Sequence, residues 1–80
     1  MDRRQLEYFR RVAQRRNIST AASELNITQP TLTKSIKLLE DQLGVKLFDR
    51  LPRGVALTSF GTTLMRHAEA IHVQIKDAGD

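Results

Sequence analysis

Apolar residues near the start of the chain recur with the 3.6-residue period of an amphipathic helix. The stripe consists of Leu6, Phe9, Val12 and Ala13. It predicts a first helix from about Arg3 to Arg16, opened by a capping box between Asp2 and Gln5. Asn17 is predicted to end this helix, because Asn tolerates the left-handed backbone found at helix C-termini.

A second, short helix is predicted to begin at Ser19, a residue type that caps helix N-termini. Asn26 follows it at the position where a tight turn requires a positive φ. Thr28 is then the predicted N-cap of a third helix, with Pro30 in the first turn, where a missing N–H costs no hydrogen bond. Gly44 is expected to end that helix. The pattern from Ser19 to Gly44 is therefore helix, tight turn, helix.

The third helix has an apolar stripe on one side and a polar face on the other. The stripe consists of Leu32, Ile36, Leu39 and Leu43. The opposite face carries Pro30, Thr33, Lys34 and Lys37, and the first turns contain no acid. A helix that contacts base edges and phosphates in the major groove needs such a face. Thr28 is predicted to cap the helix first and to contact phosphate second, and Lys37 is also assigned to phosphate.

Two short apolar-polar segments, 45–49 and 55–58, flank the run Arg50-Leu51-Pro52-Arg53-Gly54. Pro52 and Gly54 are turn formers, so the pattern predicts a small hairpin with two arginines in or beside its tip. Two strands alone are not stable in water and must pack on the helices.

A last helix is predicted from a cap at Thr58 or Ser59 to about Asp77. Its apolar positions repeat every three or four residues and are Leu64, Ala68, Ile71 and Ile75, widened by Met65 and His72. Such a long helix is not expected to bury its whole stripe within one small domain. Its far end is therefore a candidate dimer interface.

Charge and composition narrow the possible functions. The 80 residues form one small domain without cysteine, and no apolar run approaches membrane-spanning length. The net charge is +4, and six arginines lie within residues 1–16. Five of them, Arg10 included, are expected on the side of the first helix away from its apolar stripe. Basic residues then continue after the turn at Lys34, Lys37, Lys46, Arg50 and Arg53. A cluster of cations on one side is the electrostatic pattern of phosphate binding, although the arginines of the first helix are also compatible with a solvated face.

No constellation of residues indicates catalysis or metal binding. His67 and His72 are five positions apart and do not share a helix face, while Glu40 and Asp41 are adjacent and point apart. A winged helix that binds an acidic protein partner remains the alternative to a DNA-binding module. Membrane binding fits the first helix alone, because the other apolar stripes are needed to close a core.

Six strings along the chain, in order and without insertion, resemble the N-terminal domain of LysR-type transcriptional regulators. They are Leu6-Glu7-Tyr8-Phe9, Ser19-Thr20-Ala21-Ala22, Thr28-Gln29-Pro30-Thr31-Leu32-Thr33, Leu39-Glu40-Asp41-Gln42-Leu43-Gly44, Leu47-Phe48-Asp49-Arg50 and Arg53-Gly54-Val55-Ala56-Leu57-Thr58. The resemblance implies a mainly α fold with a small β-hairpin: a winged helix-turn-helix over residues 1–58 and a linker helix over 59–80. Members of this family bind inverted-repeat operators as dimers and regulate transcription.

Carried over by position, the resemblance assigns DNA contacts to Gln29, Pro30, Thr31, Thr33, Lys34, Arg50 and Arg53. Thr31 stands where Pro or Ala is frequent, and Lys34 where Arg is frequent. The predicted dimer interface consists of Leu64, Ala68, Ile71, His72 and Ile75. The family's C-terminal domain, which binds a small-molecule inducer, is absent from this chain, so no cofactor is expected here. The resemblance also implies a bacterial, cytoplasmic protein that binds double-stranded DNA and is not an enzyme.

Overall fold

Three helices, a two-stranded hairpin and a fourth helix follow one another along the chain. The structure, a computed structural model, describes the backbone of residues 1–79 and the side chains of residues 1–71. The elements are α1 (Arg3–Arg15), α2 (Ile18–Leu25), α3 (Gln29–Leu43), β1 (Phe48–Arg50), β2 (Val55–Leu57) and α4 (Ser59–Gly79). The predicted winged helix-turn-helix architecture is confirmed. None of the helices, as far as the chain is described, is long and apolar enough to cross a membrane.

The connection between α1 and α2 is tighter than predicted. The capping box at Asp2 and Gln5 is confirmed, but the left-handed residue after α1 is Arg16, with φ of 54°. Asn17 is the N-cap of α2, since its Oδ1 accepts a hydrogen bond from the N–H of Thr20 at 3.0 Å. The predictions that Asn17 ends α1 and that Ser19 caps α2 are therefore wrong. Only two residues separate the helices: Arg16 ends the first one and Asn17 caps the second.

The helix-turn-helix follows the predicted pattern closely. Asn26 has φ of 59°, and Thr28 caps α3 by accepting a hydrogen bond from the N–H of Thr31. Gly44 ends α3 with φ of 71°. Leu43 departs from the predicted stripe, because it lies in the last turn of α3 and is 43% exposed.

The core lies between the first three helices and the hairpin. Its largest fully buried side chains are Phe9, Val12, Leu32, Leu39 and Leu47. The rings of Phe9 and Phe48 lie 5.4 Å apart in a tilted arrangement, which joins α1 to the start of the hairpin. The strands are antiparallel and pair Phe48 with Leu57 and Arg50 with Val55. The hairpin therefore rests on the helices, as two isolated strands would have to.

Helix α4 begins at the hairpin and packs on α1. Thr58 is its cap, since the Thr58 Oγ1 accepts a hydrogen bond from the N–H of Gly61 at 3.0 Å. Ala68 is only 1% exposed and Leu64 packs against the core, so both are covered by their own chain. Ala68, predicted at a dimer interface, therefore has no exposed surface to offer a second chain, and Leu64 offers only part of its side chain. Ile71 is 43% exposed, whereas His72 and Ile75 lie outside the described side chains.

Candidate nucleic-acid interface

The start of α3 forms an open surface that is free of acids. Thr28, Gln29, Pro30, Thr31, Lys34 and Lys37 are exposed, and Thr33 is half-buried. No acidic residue occurs in α3 before Glu40. A helix N-terminus carries partial positive charge from its unpaired N–H groups, so this surface attracts anions even before its lysines are considered.

Hydrogen bonds orient the polar side chains at the start of α3. The Thr28 hydroxyl accepts from the N–H of Thr31 at 3.3 Å and donates to the Thr31 Oγ1 at 2.8 Å. The hydroxyl of Thr31 therefore retains its own hydrogen for donation outward. Thr28 and Thr31 together present two hydroxyl groups whose positions are fixed by these hydrogen bonds.

A hydrogen bond from α2 orients the side chain of Gln29. The Ser19 Oγ donates a hydrogen bond to the Gln29 Oε1 at 2.9 Å, which leaves the Gln29 amide N–H groups to donate elsewhere. Ser19 was assigned to capping from the sequence, and this contact across the turn was missed. Its ten-residue separation belongs to no local motif, so only the packing of α2 on α3 reveals it.

The tip of the hairpin docks on the junction of α1 and α2. The N–H of Val55 donates to the carbonyl oxygen of Arg16 at 3.0 Å. Gly54 has φ of 82°, and a Cβ at this position would lie 2.3 Å from that same oxygen. A depression of about 200 Å³ between this tip and the starts of α2 and α3 is lined by residues that include Ser19, Gln29 and Arg50. The docked hairpin thus places Arg50 beside Gln29.

Glu40 fixes the base of the hairpin to α3. Its Oε2 accepts hydrogen bonds from the N–H groups of Leu47 at 2.7 Å and Phe48 at 3.3 Å. The sequence analysis considers Glu40 only with Asp41, as a pair that does not indicate catalysis, and misses this role. A groove of about 620 Å³ separates α3 from the hairpin, and Lys37, Lys46 and Arg50 contribute to its lining.

The arginines of α1 are mostly paired with acids. Glu24 accepts from the Arg15 Nε at 2.8 Å and from the Arg11 Nη1 at 3.0 Å. Hydrogen bonding from Arg15 foremost, with a smaller contribution from Arg11, lowers the pKa of Glu24 below its ordinary value. Arg10 is buried rather than on the outer side of α1 as predicted, and its Nη1 lies 2.8 Å from the Glu7 Oε1. These three arginines therefore contribute little free charge.

The cations around α3 and the hairpin have a different environment. Lys34, Lys37, Arg50 and Arg53 are all exposed. Across the described residues, none of the four lies within 4.0 Å of a carboxylate oxygen. Of the two hairpin arginines, Arg50 shares the groove with Thr33 and Lys37 and the depression with Gln29.

These elements define a winged helix-turn-helix domain followed by a long helix. Residues 3–62 match the family described as "Bacterial regulatory helix-turn-helix protein, lysR family". The chain belongs to this family, as the resemblance indicated. Since these are regulatory proteins, the prediction that the domain is not an enzyme agrees with its family.

Known relatives include the HTH-type transcriptional regulators ClcR of Pseudomonas putida and BsdA of Bacillus subtilis. Identity to ClcR is 49% over 71 residues, which are 89% of this chain and 24% of ClcR. Identity to BsdA is 43% over 79 residues, which are 98% of this chain and 27% of BsdA. The chain therefore spans about a quarter of the length of these curated relatives.

Solved structures similar to this chain include complexes with DNA. The CbnR_DBD–DNA complex has a TM-score of 0.90 at 39% identity and covers 100% of this chain and 92% of that one. The complex of BenM_DBD with catB site 1 DNA has a TM-score of 0.92 at 32% identity. The match covers 98% of this chain and 87% of that one.

Proposed function

We propose that this domain binds double-stranded DNA in a sequence-specific manner and regulates transcription, with α3 in the major groove and the hairpin beside it. The observation that carries this proposal is that the exposed Lys34 and Lys37 of α3 and Arg50 and Arg53 of the hairpin have no carboxylate partner among the described residues, while the start of α3 is free of acids. Cations without carboxylate partners are available to phosphates, which supply most of the affinity for DNA. The DNA complexes among the similar structures support the same function.

Base reading is assigned to Gln29, Thr31 and Thr33. The amide N–H groups of Gln29 suit acceptors on base edges, such as the N7 and O6 of guanine. A threonine offers a hydroxyl donor and a methyl group that packs against the methyl group of thymine. Pro30 lies among them and contributes apolar contact at the start of the helix.

Phosphate contacts are assigned to Thr28, Lys34 and Lys37, and to Arg50 and Arg53 on the hairpin. Lys34 lacks the forked guanidinium that binds guanine through two hydrogen bonds, so it provides positive charge rather than base discrimination. These contacts set the register of α3 without reading sequence.

A homodimer on an inverted repeat completes the proposal. With 100° per residue, exposed Phe60, His67 and Ile71 fall on one face of α4, about 105° from the face that Gly61, Met65 and Ala68 turn to the core. Phe60 is 57% exposed and Ile71 43%, so two large apolar side chains on this face are left uncovered by the described residues. We assign the interface to it, together with the predicted positions His72 and Ile75. Ile71→Glu is expected to lower the mass in sedimentation, and an unchanged dimer mass would refute this placement.

In this proposal residues 1–58 bind DNA and residues 59–80 join the protomers, in the cytoplasm of a bacterium. A small-molecule inducer would act through a C-terminal domain outside this chain.

The decisive experiment selects binders from a randomised pool of DNA duplexes and then compares variants by fluorescence anisotropy. Gln29→Ala is expected to weaken binding to the selected sequence by roughly 5- to 150-fold, which corresponds to about 1–3 kcal/mol. Binding to unselected duplexes should change by less than about twofold, because phosphate contacts remain.

Gln42→Ala is the matched control, since it makes the same chemical change at the opposite end of α3. Gln42 is exposed and contacts Gln5 rather than the proposed DNA face. If Gln29→Ala weakens binding to the selected sequence and to unselected duplexes by the same factor, Gln29 does not read bases. If the unmodified chain enriches no sequence, specific recognition is refuted and binding to an acidic protein partner becomes the better explanation.

A further inference from the structure

We propose that Glu69 is a positioning residue that fixes the direction of α4 against the DNA-binding body, and thereby sets the spacing of the two half-sites that a dimer binds. The inference rests on the proposed function for its half-site part. The direction of α4 itself is a property of the single chain and is testable without DNA.

Glu69 links α4 to α1 through two side chains. Its Oε1 lies 3.6 Å from the Nε of Arg10 and 3.5 Å from the Nε2 of Gln14. The Arg10 side chain is only 10% exposed, and its Nε is buried without a hydrogen-bond partner within the described residues. A buried guanidinium N–H requires an acceptor, and the Glu69 carboxylate faces it from the neighbouring helix. The contact is therefore an ion pair between helices that joins a buried guanidinium to a partly exposed carboxylate.

A second attachment lies near the start of α4. The N–H of Thr58 donates to the carbonyl oxygen of Leu47 at 3.0 Å. A Cβ at Gly61 would lie 2.2 Å from that same oxygen, so the first turn of α4 is pressed against the chain before β1. Gly61 and Glu69 are eight positions apart, or about 12 Å along a helix axis. Together with the buried Ala68 and with Leu64, which packs against the core between them, these two attachments define the direction of the α4 axis.

The length of α4 amplifies any change in its direction. The helix continues to Gly79, which lies about 27 Å from Gly61 at 1.5 Å per residue. A pivot of about 10° at Gly61 would move that end by about 5 Å, which exceeds the 3.4 Å separation of neighbouring base pairs. In a dimer joined through α4, such a pivot changes the distance between the two recognition helices. Half-site spacing depends on that distance.

Glu7 provides a matched control for the loss of Glu69. It also pairs with Arg10, at 2.8 Å, but it lies on the same helix as Arg10. Glu7→Ala therefore removes a partner of the buried guanidinium without separating α1 from α4. Glu69 is 43% exposed at its side chain, so Glu69→Ala opens no buried cavity and the variant is expected to fold. Glu69→Gln keeps an oxygen acceptor and should behave closer to the unmodified chain.

The first experiment measures the direction of α4 in the protein without DNA. The chain contains no cysteine, so Ser23→Cys on α2 and Ala70→Cys on α4 introduce two unique sites for nitroxide labels. Both positions are exposed, and dilution with unlabelled chain suppresses distances between protomers. Electron–electron double resonance should give a narrow distance distribution for the unmodified background and for Glu7→Ala. It should give a clearly broader or shifted one for Glu69→Ala, and an unchanged distribution would overturn the inference.

The second experiment measures the consequence for DNA binding. The inverted repeat selected from the randomised pool is resynthesised with one base pair added to or removed from its centre, and a duplex with a single half-site is included. Glu69→Ala should reduce the discrimination between the selected spacing and its neighbours by at least about threefold, with single half-site affinity retained.

An identical spacing profile for Glu69→Ala and the unmodified chain would overturn the half-site part of the inference. Failure of the unmodified chain to enrich any inverted repeat would instead refute the proposed dimeric function. The distance measurement would still decide whether Glu69 fixes α4, so the two failures are distinguishable.

Discussion

Gly54→Ala is expected to destabilise the domain far more than Gly44→Ala, although both glycines have a positive φ. Gly44 has φ of 71° and nothing within 4 Å of an added Cβ, whereas Gly54 has φ of 82° and the Arg16 carbonyl oxygen at 2.3 Å. Both substitutions therefore place a Cβ on a residue with left-handed backbone. Only Gly54→Ala also forces that Cβ against the carbonyl oxygen of Arg16.

The magnitude follows from these two contributions. A residue with a Cβ in the left-handed region costs about 1–2 kcal/mol, which applies to both variants. At Gly54 the hairpin tip must also retreat from Arg16, which breaks the 3.0 Å hydrogen bond from the N–H of Val55. Losing that bond and leaving its groups unsatisfied adds about 1–3 kcal/mol. With about 0.17 kcal/mol per kelvin of unfolding entropy for a chain of this size, the melting temperatures should differ by roughly 6–18 °C.

Urea and thermal unfolding, followed by circular dichroism, measure the difference directly. Gly54→Ala should also weaken DNA binding at temperatures where it remains folded, because Arg50 and Arg53 are carried by the displaced hairpin. Equal unfolding midpoints for the two variants would show that the close approach to Arg16 contributes nothing, and would refute the reasoning. If Gly54→Ala is destabilised but binds DNA with unchanged affinity, the docking of the hairpin on Arg16 is needed for stability and not for the proposed DNA contacts.

Three further outcomes are expected. Glu40→Ala removes the acceptor for two backbone N–H groups at the base of the hairpin and should lower the free energy of unfolding by about 1–3 kcal/mol. Asp41→Ala, at the exposed neighbouring position, should change it little, and similar losses of stability in the two variants would contradict the role of Glu40. The pKa of Glu24 is lowered from its ordinary value of 4.5, so its stabilisation is present above pH 4.5 and is lost as the pH falls through the lower folded value. Unfolding from pH 6 downward should therefore show a steeper decline for the unmodified chain than for Glu24→Gln, and parallel curves would exclude the ion pair as a source of acid sensitivity. DNA affinity should fall steeply with salt, and Lys37→Ala should reduce the slope of log affinity against log salt by about 1; an unchanged slope would mean that Lys37 contacts no phosphate.

The elements that were predictable from the sequence depend on local hydrogen bonds. Thr28 caps α3 through a residue three positions away, and Asn26 and Gly44 adopt positive φ because of their own side chains or the lack of one. The apolar period then determines which side of α3 is buried. The outward position of Lys34 and Lys37 follows from the same period, whereas Gln29 was assigned by the family resemblance, so most of the candidate surface on α3 could be predicted.

The interactions that were missed join residues distant along the chain. Ser19 has the chemistry of a cap, but the two-residue connection after α1 makes Asn17 the cap and leaves Ser19 facing Gln29. Arg10 sits at a position of α1 that the period assigns to the outer side, yet α4 covers it. Neither the length of a connection nor the path of α4 is encoded in a local pattern. Docking of the hairpin on Arg16 and Glu40 escaped prediction for the same reason.

The distribution of acids, more than that of cations, distinguishes the candidate DNA surface from the rest of the domain. The sequence is richest in arginine within α1, but Glu24 there accepts hydrogen bonds from Arg11 and Arg15, and Glu7 pairs with Arg10. A paired guanidinium adds little to the field at a distance, because the carboxylate cancels its charge. On the other side, Glu40 is turned toward backbone N–H groups of the hairpin and not toward the lysines of its own helix. Three of the five arginines of α1 are therefore neutralised, whereas the four cations of α3 and the hairpin have no carboxylate partner among the described residues. A count of basic residues along the chain would instead have placed the binding surface at α1.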